Sequence, residues 1–213
     1  MDVEKVVVIG LLGSSHRDLL DGVATASLPA LKQVLQEGAR LKVKGYLPSC
    51  PWSGWTTVAT GVNPGRHNIF SESRHDGYDI LPADATIRKG RPIWNCLQER
   101  GKKVFLMNAP ATYPPEAVNG ILVGLPLDNP GSPAVGDFTF PAELSPRLLG
   151  KGYTLYGSIP PMASQEEWLE LNASNFEIRG ETALALWKEL QPDLTLALSW
   201  DIITGLGPWP LPR

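Results

Sequence analysis

The sequence is poor in the residues that build disulfide frameworks and transition-metal sites. Its 213 residues include two cysteines, Cys50 and Cys96, and three histidines. Two cysteines are too few for a disulfide framework or a Cys-based zinc site, and they suit a reducing compartment, so we expect a cytoplasmic protein. Three histidines also leave little material for a site with several imidazole ligands.

Long apolar runs and clusters of one charge are also missing. The N-terminal apolar run covers only residues 6–12, which is far from the ~20 residues of a membrane span. Lys and Arg number 19 against 22 Asp and Glu, for a net charge of −3, and no basic cluster exceeds a short pair. The sequence therefore predicts neither a transmembrane segment nor a nucleic-acid partner.

What the sequence does contain is an alternation of apolar strand and helix patterns. A hydrophobic content of 43% can fill one core, so we predict a single domain over residues 1–213. Residues 63–90 are rich in turn-forming residues and predict a surface loop, and residues 206–213 form a proline-rich tail. The predicted strands are 4–12, 39–47, 102–108, 120–126 and 193–200, and the predicted helices are 27–38, 93–101, 142–150 and 164–190, with 56–61 a short buried helix or turn and 126–141 a loop. The alternation predicts an α/β fold with a mainly parallel sheet, in which the first strand is buried and central.

Five motifs occur in an order that resembles a known family. They are VIGL at 8–11, LPALKQVLQEGA at 28–39, WTTVATGVNPGRHNIF at 55–70, IWNCLQERGKKV at 93–104 and NAPATYPPEAVNG at 108–120. Together they closely resemble the type I phosphodiesterase/nucleotide pyrophosphatase branch of the alkaline phosphatase superfamily. The resemblance implies an alkaline-phosphatase-like sheet flanked by helices and truncated on its C-terminal side.

The resemblance also implies a catalytic apparatus, most of which this sequence lacks. Members of the family hold two divalent metals, usually zinc, beside a Thr or Ser nucleophile, and the cations stabilise the attacking and leaving oxygens. The family's first strand ends in a ligating Asp, and Leu12 stands at that position. The nucleophile position, counted from Trp55 or from Thr60, holds Pro51.

The remaining ligand positions are also depleted. The family pairs an Asp after a buried strand with a His four residues later, and here these positions hold Asp201 and Gly205. The other implied ligands would lie beyond residue 213, so of six expected ligands only Asp201 is retained. We therefore expect a catalytically inactive relative without a cofactor, which serves as a binding or assembly subunit.

A rearranged hydrolase is the alternative. Cys50 or Ser53 would replace the nucleophile, and Asp201 with a substituted ligand would hold zinc or manganese. The binding hypothesis instead predicts a protein partner or a second copy that covers an unfinished domain. Trp52 and Trp209 are the candidate contacts with that partner, although core packing is the ordinary role for Trp52 and fraying an ordinary fate for the tail.

Overall fold

The computed structural model of the chain describes residues 4–14, 16–45, 50–126, 137–155 and 164–200. The strands are β1 (Val6–Leu11), β2 (Ser73–Asp76), β3 (Asp79–Pro82), β4 (Val104–Met107), β5 (Gly120–Val123), β6 (Thr139–Phe140) and β7 (Leu194–Ser199). The helices are α1 (His16–Ala24), α2 (Pro29–Glu37), α3 (Pro51–Thr60), α4 (Pro64–His67), α5 (Ile93–Gln98), α6 (Leu144–Leu149) and α7 (Gln165–Leu190). None of these helices is long and apolar enough to cross a membrane.

Five strands form the central sheet, in the order β1-β7-β4-β5-β6. The pairs β1–β7, β7–β4 and β4–β5 are parallel, and only β6 runs antiparallel to its neighbour. Parallel neighbours require crossover connections of a dozen or more residues. Helices α6 and α7 lie between β4 and β7, whereas residues 108–119 join β4 to β5 without a helix. The prediction of a mainly parallel sheet flanked by helices is confirmed.

Two apolar clusters lie on opposite faces of this sheet. One includes Trp52, Trp94, Leu106 and Trp200, and it packs under α3 and α5. The other includes Phe105 and lies under α6 and α7. Alternate residues of β4 point to opposite faces, so a strand buried on both sides reads as a continuous apolar run. This explains why β4, β5 and β7 could be predicted from sequence.

Within the part of the chain that the structure describes, β1 lies at the edge of the sheet, whereas the sequence predicted a buried and central strand. Its neighbour on one side is β7, and no described strand pairs with its other edge. Val7 and Ile9 are 51% and 69% exposed. Their face of the sheet borders a groove of about 450 Å³ between β1 and α7. The apolar sequence of β1 indicates a strand that favours burial, but the described part of the chain does not provide it.

Residues 39–45, the described part of the predicted strand 39–47, pair with no described strand. Leu41 and Val43 are 83% and 86% exposed. The alternating pattern is present, but a strand also needs a neighbour to which its backbone can bond. Helices α1 and α2 precede this segment. The sequence predicted α2, within the helix 27–38, but it did not predict α1.

The predicted surface loop 63–90 is partly ordered and partly buried. It contains α4 and the antiparallel hairpin β2–β3, which turns at Gly77 with a positive φ of 63°. His67 and Ile69 are fully buried. Because the segment is rich in polar residues, the sequence did not predict the hairpin β2–β3 or the buried turn at α4. Likewise, the predicted loop 126–141 contains β6 within its described part.

Candidate active site

The candidate site lies where the parallel strands end. In open α/β sheets, ligands bind beyond the carboxyl ends of the strands, because loops and helix N-termini converge there. Leu12 follows β1, Trp200 follows β7 and Asn108 follows β4. The N-terminus of α3, with Pro51, faces the same region through the cluster that contains Leu12 and Trp52.

Helix α3 begins with a residue that cannot act as a nucleophile. Pro51 occupies its first position, after an extended Cys50 with φ −139° and ψ 126°. Proline suits this position because it has the required φ and because its missing N–H is one that the helix would leave unpaired. The helix ends at Gly61, which has a left-handed φ of 68°. Local backbone physics thus accounts for Pro51 without any chemical role.

Two indole rings pack against each other between α3 and the strand ends. Trp52 and Trp200 are 6% and 7% exposed, and their ring centroids are 4.7 Å apart at an interplanar angle of 55°. The Nε1–H of Trp200 donates a hydrogen bond to the backbone oxygen of Asn108 at 2.9 Å. The hydroxyl of Tyr153 donates to Oδ1 of the same Asn108 at 2.8 Å. The indoles are thus fixed by packing and by a buried polar contact.

The burial of Trp52 also corrects its predicted role as a partner contact. A side chain that is 6% exposed offers almost no surface to another protein, and the structure places it in the core. Trp209, the other predicted contact, lies outside the described residues. Sequence analysis did not single out Trp200, although its position directly before Asp201 would have suggested the strand-end region.

The described residues at the strand ends do not fit a two-metal centre. Leu12 is 7% exposed and offers no donor atom, and Pro51 has no hydroxyl. Divalent metals of this kind need imidazole, thiolate or carboxylate ligands. Across the described ranges, no group of three or more His, Cys, Asp or Glu side chains could hold a metal ion. Asp201 and Gly205 lie outside these ranges.

The two alternative nucleophiles occupy different environments. Ser53 is fully buried and its Oγ has no hydrogen-bond partner, so a substrate would not reach it. Cys50 is half-buried and lines a cavity of about 430 Å³ together with Leu12, Gly13 and Thr57. Among the residues that the structure describes, no histidine or carboxylate lines this cavity. The thiol therefore lies beside open space, but the lining offers no general base to activate it.

His67 has a structural arrangement rather than a ligating one. Its Nδ1 accepts a hydrogen bond from the Ile69 N–H at 3.1 Å, so Nε2 carries the proton and donates to Thr57 Oγ1 at 2.9 Å. Thr57 Oγ1 in turn donates to the backbone oxygen of Ser53 at 2.9 Å. Burial lowers the pKa of His67 below its usual 6.5 and keeps the ring neutral. The network ties α4 to α3.

Glu116 accepts hydrogen bonds from three side chains within residues 88–95. This role was not predicted from sequence. Its Oε1 accepts from Arg88 at 2.5 Å and from the Trp94 indole at 2.9 Å, and its Oε2 accepts from Asn95 at 3.1 Å. Burial alone would raise the pKa of Glu116, but these hydrogen bonds outweigh it and hold the pKa below 4.5. The carboxylate is therefore ionised and occupied by structural partners.

Comparison with known proteins agrees with the observed fold. The family model described as type I phosphodiesterase / nucleotide pyrophosphatase matches residues 6–199. Phosphonoacetate hydrolase from Sinorhizobium meliloti 1021, solved with phosphonoacetate, has a TM-score of 0.63 at 16% identity over 94% of this chain. The same hydrolase solved with phosphonoformate has a TM-score of 0.61 at 16% identity over 92% of this chain. This chain covers 47% and 46% of those two chains, about half their length. No curated protein matches the sequence.

Proposed function

Because the chain belongs to the type I phosphodiesterase/nucleotide pyrophosphatase family but carries Leu12 and Pro51 at the expected ligand and nucleophile positions, we propose that it is a catalytically inactive member that acts by binding. Family members are phosphoric-ester hydrolases. One observation carries the proposal: at the strand ends Leu12 packs in one apolar cluster with the buried Trp52–Trp200 pair, and no described group of side chains there could hold a metal ion.

The physical argument concerns groups that act together. Metal ligands and nucleophile contribute to one transition state, so the loss of any one of them already costs orders of magnitude in rate. Leu12 removes a ligand and Pro51 removes the attacking oxygen. The cavity beside Leu12 and Pro51 has no imidazole or carboxylate in its described lining to hold the metals that such chemistry requires. Restoring turnover would take several simultaneous changes.

The binding role is supported by the exposed apolar face of β1. Val7, Ile9 and Leu11 are 51%, 69% and 36% exposed, and across the groove Phe176 and Leu184 of α7 are 46% and 53% exposed. A contiguous apolar patch of this kind is costly to leave in water and is typical of an interface. We propose that a protein partner or a second copy covers it. We also propose a cytoplasmic location, which the absence of a disulfide at Cys50 and Cys96 supports.

Elemental analysis and a hydrolysis assay test the loss of catalysis. We expect protein purified without chelator to carry far less than one zinc or manganese ion per chain. We also expect no metal-dependent hydrolysis of bis(p-nitrophenyl) phosphate or phosphonoacetate. Asp201→Ala should leave both readouts at the same baseline. Stoichiometric metal, with hydrolysis that Asp201→Ala abolishes, would refute the proposal.

The rearranged hydrolase has one observation in its favour, which is the cavity beside Cys50. That alternative predicts turnover that disappears in Cys50→Ala and persists in Cys96→Ala, a matched control with the other half-buried thiol. The inactive-member proposal predicts the same background rate for the wild type and both variants.

Association is tested by sedimentation equilibrium and by co-purification from the native source. We expect a mass above the 23.1 kDa of one chain, or a stoichiometric second protein. Ile9→Lys should weaken the association, because it places a charge on the apolar face of β1. Val58→Lys is the matched control, since Val58 is similarly exposed at 61% but lies on α3. A monodisperse monomer that brings no second protein would contradict the binding role.

A further inference from the structure

Helix α2 has an apolar face that is not covered. Leu28, Leu31, Val34 and Leu35 recur at helical spacing and form one stripe along it. Within the described structure no residue of α2 is buried, and Val34 is 64% exposed. A helix of nine residues is marginal in water unless its apolar face packs against another surface. The stripe on α2 therefore has the character of a contact surface.

The groove between β1 and α7 has the width of one further helix. A helix is about 10 Å across and neighbouring strands are about 4.8 Å apart, so one helix covers about two strands. Helix α7 contributes Leu186 to the cluster that contains Phe105 of β4 and Ala197 of β7, and the face of β1 beside it stays open. β1 is about 20 Å long and α2 about 13 Å, so a helix of this length fits along the strand.

The groove and the stripe on α2 match in chemistry. Val7 and Ile9 of β1 and Phe176 and Leu184 of α7 line the groove, and each is between 46% and 69% exposed. An amphipathic helix that lays its apolar face into an apolar groove is a common mode of recognition between proteins. Each surface would remove the other from water, so the chain carries both halves of one contact.

The charges around the two surfaces are opposite in sign. Helix α7 has six glutamates against one arginine and one lysine, and Glu177 and Glu181 are exposed on it near the groove residue Leu184. Residues 39–45, which follow α2, contain three basic residues and no acidic one. Complementary charges steer and orient association. A copy that brings α2 to the groove therefore brings a basic segment toward an acidic helix.

We propose that the chain forms a symmetric dimer in which α2 of each copy lies in the groove between β1 and α7 of the other copy. This inference rests on the proposed binding role and selects a second copy as the partner. Because one chain carries both surfaces, a two-fold dimer makes the same contact twice and covers all four surfaces. Each α2 keeps the position that it has within its own chain.

Sedimentation equilibrium of the full chain tests this dimer. We expect a mass of twice the 23.1 kDa of one chain. Val34→Lys should weaken dimerisation by more than ~10-fold, because it places a charge in the apolar contact. Gln33→Lys is the matched control, since Gln33 is exposed on the opposite side of α2. A dimer that Val34→Lys leaves as strong as the wild type would overturn the proposal.

An exchange of charges identifies the surface that receives α2. Val34 and Leu184 are both more than half exposed, so Val34→Lys and Leu184→Glu should fold, which circular dichroism checks. Each variant alone should be a monomer, and an equal mixture should form a 1:1 dimer. In that dimer the introduced lysine of one copy meets the introduced glutamate of the other, while the second contact is unchanged. A mixture that stays monomeric would refute the contact between α2 and the groove.

Co-purification from the native source separates the failure of this inference from the failure of the proposed function. A monomer that brings a different protein in stoichiometric amount refutes the second copy and leaves the binding role in place. A monomer that brings no other protein refutes both. A dimer that responds to Val34→Lys but not to Gln33→Lys supports both.

Discussion

Replacing Trp52 by alanine should destabilise the protein severely, because the side chain is a core element. The indole is 6% exposed and packs at a tilt against Trp200, with the ring centroids 4.7 Å apart. The substitution removes roughly 200 Å² of buried aromatic surface. At about 25 cal/mol/Å², the free energy of unfolding should fall by at most about 5 kcal/mol. Large-to-small changes of this kind cost about 3–5 kcal/mol, which is a large part of the typical stability of a domain.

Urea denaturation followed by circular dichroism measures this change. Trp52→Phe keeps the variant folded, and we expect it to cost about 1–2 kcal/mol, since a smaller ring leaves a cavity. Phe70→Ala is the control, because Phe70 is 52% exposed and its loss should cost under about 0.5 kcal/mol. If Trp52→Ala costs no more than this control, the indole is not a core element and does not hold the strand ends together.

Three further changes test other parts of the fold. Glu116→Gln should cost about 2–4 kcal/mol in urea denaturation, because it leaves the charge of Arg88, whose side chain is 7% exposed, without its partner; a loss under about 0.5 kcal/mol would contradict this. Since the pKa of His67 is lowered, the unfolded state binds more protons just below pH 6.5, so stability should fall as the pH drops from about 7.5 to about 5.5; His67→Gln should flatten this slope and His75→Gln should not. Gly180→Ala should raise the midpoint of thermal unfolding, with a gain of about 0.5–1 kcal/mol, because Gly180 lies inside α7 and an added Cβ meets nothing within 4 Å; a lower midpoint would show that the space is occupied.

Elements that depend on local pattern could be predicted from sequence. Helix α7 begins where Ser164 accepts a hydrogen bond from the Glu167 N–H at 3.2 Å, and acidic residues in its first turn favour its N-terminus. Strand β4 is a continuous apolar run because both of its faces are buried, and β7 is mostly apolar for the same reason. Each of these signals is contained within about ten residues of chain.

The position of β1 could not be predicted in this way. Its apolar sequence indicates that the strand favours burial, but burial depends on which segments pair with it and cover it. Those segments are distant in sequence: β7 pairs with β1 across more than 180 residues, from Val6 to Leu194. The hairpin β2–β3 was missed for a different reason, because its strands are short and polar. The Asp76–Gly77 turn, with a left-handed glycine, was the available signal.

The candidate site likewise combines positions that short motifs locate with a contact between residues that are distant in sequence. Counting along the motifs locates Leu12 and Pro51, because both follow from short spacings. Beside these positions Trp52 contacts Trp200. The two residues are distant in sequence, and only the order of the strands brings them together. A leucine at the end of β1 offers no donor atom to a metal, and Leu12 belongs to the same apolar cluster as the two indoles. The three side chains therefore form one packed unit, so a carboxylate restored at Leu12 alone would be a buried charge without a partner rather than the beginning of a metal site.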